Sequence, residues 1–304
     1  MTWPYGNIYE RLGDDGAVMY VLTSERTALQ ESRLSRFADF AGFSSGETVN
    51  SHGPREVSPR GPAREVVRFE MRGTPSPRTV YLKRARASHL KDALKDLLRL
   101  RRVRTRARHE FDMLVRFRRA GVSVPDALAA GERHVFGRDV GSFVLVAALG
   151  EGRPLDVALA EPESPGVRLD ILRSLARSVR AMHDAGLTHG ELFARHVFAA
   201  EHSGGSWKFS FIDLQQAKAE SRTSRGRRAR DLAALLVSLP PDETTMRERL
   251  AFLREYLGRP SLRRDDLAFA RGAVLAAARR FVRRDSCRSW RAALAGSPRG
   301  ENVP

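Results

Sequence analysis

Three short stretches of the 304-residue chain carry residue types that suit one reaction when taken together. In VYLKRA (Val80–Ala85) a lysine, Lys83, stands near the end of a strand-like run. In THGELFARHVF (Thr188–Phe198) a polar cluster lies between a helical pattern and a hairpin. In FSFIDLQQA (Phe209–Ala217), Asp213 ends an apolar run. Phosphoryl transfer from a nucleotide needs a cation on the phosphates, an acidic residue on the metal and a carboxylate near the acceptor hydroxyl. Lys83, Asp213 and Glu191 supply those types. Each has a plainer reading: Lys83 as a surface charge, Asp213 as a turn former at a strand end, and His196, in the same polar cluster, as a structural histidine.

The elements that must position these residues follow from periodicity. Glu65–Met71 and Thr79–Lys83 flank the turn Gly73–Pro77 and read as an antiparallel hairpin. His89–Arg101 and Arg106–Arg119 are basic amphipathic helices, the second with Phe111, Leu114 and Val115 on one side and Gly121 as its stop. Two or three strands follow, the last over Ser142–Ala147. Leu169–Ala185 has Leu172, Leu175, Ala176, Val179 and Met182 on one stripe, with Gly186 ending it. A hairpin is expected from His196–Ala200 and Trp207–Asp213. Helices are expected at Ala229–Leu239, Thr244–Leu257 and Leu262–Arg284. Residues 1–60, with Gly, Ser and Pro clusters, read as a poorly ordered N-terminal extension, and 285–304 as a tail. Strands with one important helix over 61–150, then helices over 151–284, argue for two lobes with a cleft between them.

The stretches between Val66 and Leu239 resemble the protein-kinase-like superfamily and, within it, the lipopolysaccharide kinase (Kdo/WaaP) family. YLKRARA, LKDLLRLRRVRTRARHEFDML, GVSVPDALAAGER, FVLVAALGEGRPL, HGELFARHVF, FIDLQQA and RRARDLAALL carry the likeness in order. The resemblance implies an α+β, two-lobed protein-kinase-like fold, with a small antiparallel-sheet N-lobe, one key helix and a mainly helical C-lobe. It implies ATP and Mg2+ as cofactors, with Lys83 on the nucleotide phosphates and Glu110 pairing with that lysine. It further implies that Asp213 binds metal, that His196 ligates metal or positions a phosphate, and that Glu191 is the catalytic carboxylate. Asp231 resembles a helix aspartate that bonds the catalytic-loop backbone, and a first-turn Asp favoured by the helix dipole is the other reading. Glu191 departs from the family's HGD or HRD pattern by one methylene. An active kinase with an altered base and a pseudokinase scaffold that binds nucleotide or a partner are therefore both readings of the same text.

Composition bounds the rest. The formal net charge is +17, from 53 basic and 36 acidic residues, and only five of the basic ones are lysine. Such a surface attracts polyanions, and arginine drift in coding sequence gives the same composition. Ser221–Arg230 (SRTSRGRRAR) and Arg99–Arg108 (RLRRVRTRAR) read either as platforms for an anionic glycolipid or sugar substrate and for acidic lipid headgroups, or as solvated charge runs. A basic nucleic-acid-binding module is a further reading, disfavoured because no recognition helix or base-stacking pattern is evident. The single cysteine, Cys287, excludes an intrachain disulfide and a cysteine-based zinc site. No apolar run is long enough to cross a bilayer, and no secretory signal is expected. The expected setting is cytoplasmic, with peripheral contact at the inner membrane face. The function expected is ATP-dependent phosphorylation of a sugar hydroxyl in a lipopolysaccharide core or related glycan.

Overall fold

The computed structural model describes residues 8–14, 16–41, 56–59, 64–72, 77–86, 105–135, 138–160, 164–202, 205–239 and 244–284. The chain divides into two compact units, Met1–Arg116 with Pro125–Leu149, and Phe117–Val124 with Gly150–Pro304. The helix expected over His89–Arg101 and the tail over 285–304 lie outside the described residues.

The first unit is a seven-stranded, wholly antiparallel sheet. Its strands are β1 (Tyr9–Asp14), β2 (Ala17–Leu22), β3 (Glu56–Pro59), β4 (Arg64–Met71), β5 (Arg78–Arg86), β6 (Ala127–Val135) and β7 (Arg138–Ala147). Their spatial order is β1-β2-β6-β7-β5-β4-β3. Period-two alternation decides the inward face: Val67, Phe69 and Met71 of β4, and Val80 and Leu82 of β5, are all buried.

The reading of residues 1–60 as a poorly ordered extension is corrected for the described residues 8–14, 16–41 and 56–59. β1 and β2 extend the sheet, and the short helices α1 (Arg26–Glu31) and α2 (Phe37–Ala41) cover it. Leu29, Leu34, Phe37 and Phe40 belong to the same core cluster as Val67, Leu82 and Leu145. Phe40 stacks on Phe143 with ring centroids 4.1 Å apart. The segment is ordered by contacts distant in sequence: β2 pairs with β6 from Ala17–Arg133 to Val21–Ala129, and the Tyr9 hydroxyl donates to the Ala127 carbonyl at 2.9 Å.

Helix α3 (Arg106–Arg119) begins where the Thr105 hydroxyl accepts the Arg108 N–H at 3.1 Å. It ends at Gly121, whose φ of +76° suits glycine. The rings of Tyr9 and Tyr20 meet its Phe111 at 5.0 and 5.8 Å, which seats the helix on the unit.

The second unit is mainly helical: α4 (Leu155–Ala160), α5 (Pro165–Asp184), α6 (Arg225–Ser238), α7 (Met246–Leu257), α8 (Arg264–Ala268) and α9 (Leu275–Arg284), with a π-helical turn over Phe269–Val274 before α9. Ser164 caps α5 by accepting the Val167 N–H, and Pro165 occupies its first turn. A Thr245–Glu248 capping box starts α7. α5 packs on α7, and α6 on α9. The short strands β8 (Arg153–Pro154), β10 (Val197–His202) and β11 (Ser206–Phe211) form one small sheet, and β9 (Leu187–Thr188) pairs with β12 (Lys218–Ala219). No helix among the described residues is long and apolar enough to cross a membrane.

Candidate active site

Lys83 and Glu110 lie in the first unit, and Glu191, His196 and Asp213 in the second. On β5 the alternation that buries Leu82 turns Lys83 to the other face of the strand. Its Nζ meets Oε1 of Glu110, on α3, at 2.5 Å. The Glu110 side chain is only 2% exposed. A carboxylate that buried is tolerable because it is paired, and the pairing fixes both the ammonium and the helix that carries its partner.

In the second unit α5 stops at Gly186, β9 follows, and residues 189–193 form a loop ahead of the turn Ala194–His196. Gly190 has φ +83°, and a Cβ there would stand 2.4 Å from the Gln216 carbonyl oxygen. Only glycine lets the loop pass that close to the segment after Asp213.

Two histidines brace the loop. The Nε2–H of His189 donates to the Ile212 carbonyl at 2.9 Å, and its Nδ1 accepts the Glu191 N–H at 3.3 Å. Those partners assign the neutral tautomer, and burial holds its pKa below the usual 6.5. His196 donates from Nδ1 to the Glu191 carbonyl at 2.9 Å, which turns Nε2 away from that bond. That nitrogen is 4.0 Å from Oδ2 of Asp213. Asp213 has φ +61° and ψ +61°, and its side chain does not cap the turn that follows. A non-glycine residue in this region carries about 1–2 kcal/mol of strain. The fold holds the Asp213 carboxylate beside His196.

The Glu191 backbone is fully engaged, its N–H by His189 and its carbonyl by Phe193 and His196. Its half-buried carboxylate makes no hydrogen bond or ion pair among the described residues. Asp231, fully buried on α6, accepts the backbone N–H groups of His189 at 2.8 Å and Gly190 at 2.7 Å. Behind it stand two residues that sequence reasoning missed. His183 Nε2 lies 3.2 Å from Asp231 Oδ2, and its Nδ1 is 2.8 Å from the Tyr256 hydroxyl. Burial pushes the Tyr256 hydroxyl up to about 12, so it donates to Nδ1 and His183 donates from Nε2 to Asp231. The available signal was the position of His183, in helical register with Leu172, Ala176 and Val179: a polar residue on a buried stripe must find partners.

The chain supplies two donor groups suited to a divalent cation, the Asp213 carboxylate and His196 Nε2. Among the described residues no cluster of three or more His, Cys, Asp or Glu side chains is present. The carboxylate fits an ion such as Mg2+, which prefers oxygen ligands and takes most of them from phosphate and water; the imidazole is a softer donor than that ion favours.

Comparison with known proteins agrees with this architecture. Residues 56–256 match the family model described as the lipopolysaccharide kinase (Kdo/WaaP) family. A lipopolysaccharide core heptose(I) kinase WaaP from Pseudomonas aeruginosa is 32% identical over 161 residues, covering 51% of this chain and 60% of that protein. Its counterpart from Escherichia coli is 29% identical over 204 residues, covering 65% of this chain and 76% of the relative. A solved structure of WaaP in complex with acyl carrier protein superposes with a TM-score of 0.61 at 24% identity, covering 90% of this chain and 98% of that one, a likeness of fold. The α+β, kinase-like fold and the match over Glu56–Tyr256 make this chain a member of the lipopolysaccharide kinase (Kdo/WaaP) family.

Proposed function

We propose that the chain is an ATP-dependent phosphotransferase that phosphorylates a sugar hydroxyl of a lipopolysaccharide core, the acceptor class named for its relatives. The observation that carries this is local. Asp213, in the left-handed region, has its carboxylate 4.0 Å from His196 Nε2, and both adjoin a loop whose Glu191 carboxylate has no hydrogen-bond or ion-pair partner among the described residues.

Lys83, held by Glu110, binds the nucleotide phosphates as a fixed cation. Asp213, with His196 beside it, would hold a magnesium ion, which would neutralise charge on the phosphates. Glu191 orients the acceptor hydroxyl and takes its proton. The two histidines pin the backbone at Glu191 N and O, so its side-chain rotamer must take up the extra methylene relative to aspartate. Asp231, backed by His183 and Tyr256, keeps the 189–190 peptides in place and touches no reactant. The test is incubation of purified protein with Mg2+, γ-labelled ATP and lipopolysaccharide, followed by mass spectrometry of the glycolipid. A mass gain of one phosphate, absent with Lys83→Ala, is expected. An unmodified glycolipid under all conditions, with ATP still bound, favours the pseudokinase scaffold instead.

A further inference from the structure

The acceptor side of the site has a feature that phosphate transfer alone does not require. Arg195, exposed on the turn Ala194–His196, stands with its guanidinium carbon 4.7 Å over the Phe193 ring. Phe193 meets Phe281 edge-on at 5.6 Å. On the far ring of that pair lies Arg230 of α6, its guanidinium carbon 5.5 Å from the Phe281 centroid. The Arg230 Nε donates to the Gly190 carbonyl at 3.2 Å, the residue before Glu191. Neither arginine has a carboxylate partner among the described residues. Their neighbours on α6 do: Arg227 pairs with Glu220 and Arg228 with Asp184.

A guanidinium laid on an aromatic face keeps its N–H edge outward and is already ordered before a ligand arrives. Two such edges on one aromatic ledge suit forked recognition of an oxyanion. We infer that Arg195 and Arg230 bind a carboxylate or phosphate group carried by the acceptor saccharide, and so set which of its hydroxyls reaches Glu191. This rests on the kinase reading above and names the acceptor's recognition element. It gives the basic run Ser221–Arg230 a specific use, through Arg230 rather than through bulk charge.

Steady-state kinetics on the full chain, with lipopolysaccharide and ATP varied in turn, test it. Arg195→Gln and Arg230→Gln are each expected to raise the acceptor KM roughly tenfold, with the ATP KM unchanged. Added sulfate should compete with the acceptor in the wild type and lose that effect in the double variant. Methyl-esterifying the acceptor's carboxylates separates the sources: a matching rise in wild-type KM assigns the carboxylate, and a matching rise only after phosphatase treatment assigns the phosphate. An unchanged acceptor KM in an active double variant overturns the inference while leaving the kinase reading intact. A rise in ATP KM instead assigns the two arginines to the nucleotide and also overturns it. Because Arg230 also holds the Gly190 carbonyl, Arg195→Gln, which breaks no hydrogen bond among the described residues, is the decisive variant.

Discussion

Replacing Asp231 with asparagine tests whether one buried carboxylate holds the loop that carries Glu191. In the native protein its two oxygens accept the N–H groups of His189 and Gly190 at 2.8 and 2.7 Å, with His183 Nε2 at 3.2 Å. An amide offers one oxygen, so its NH2 must face the Gly190 N–H or, turned the other way, the His189 N–H together with His183 Nε2. The change removes one charge-assisted bond, worth about 1.5–3 kcal/mol, and strands a buried donor at a further 1–3 kcal/mol or so. The expected loss is about 3–5 kcal/mol, read from urea unfolding followed by fluorescence of the whole chain. Activity should fall further than folding accounts for, because a displacement of roughly 1 Å at a positioned group costs on the order of a hundredfold in rate. Assays at low temperature, where the variant remains folded, isolate that part. A stability loss under about 1 kcal/mol together with an unchanged transfer rate would refute the reasoning.

Further outcomes follow from the same geometry. Burial keeps His189 neutral while the unfolded chain protonates below pH 6.5, so the unfolded state binds more protons and stability falls as pH drops below that value. His189→Gln should flatten this part of the urea-midpoint profile between pH 7.5 and 5, and an unaltered slope would count against it. Tyr256→Phe strips His183 Nδ1 of its donor and should cost about 1–3 kcal/mol, with a smaller rate loss than Asp231→Asn; equal or greater rate loss would disprove the relay order. Phe40→Ala should cost about 3–5 kcal/mol by urea unfolding, since Phe40 is fully buried on Phe143. A near-neutral result would mean that α2 is not part of the core.

The readable parts of the chain were those whose signals are local. The helix Arg106–Arg119 announces itself by its stripe and by Gly121, and the hairpins by alternation around Gly- and Pro-containing turns. The N-terminal strands do not, because Tyr9–Asp14 and Ala17–Leu22 are short, the first contains Gly13, Gly16 stands between them, and they gain their order from partners more than a hundred residues away. At the site, the spacing of Gly190, Glu191, His196 and Asp213 was visible in the text. The distances that give Lys83 its partner and Asp213 its strained backbone were not. His183 and Tyr256 escaped notice for the same reason: they lie on separate helices, and their mutual bond exists only once α5 and α7 pack.

The most direct test of the assigned roles is a paired measurement on Lys83→Ala, Asp213→Asn and Glu191→Gln: calorimetric titration with MgATP, and transfer of labelled phosphate to lipopolysaccharide. Loss of both binding and transfer in the first two, with Glu191→Gln binding MgATP normally and transferring nothing, is predicted. Wild-type MgATP affinity in Lys83→Ala and Asp213→Asn, or wild-type transfer by Glu191→Gln, would contradict it.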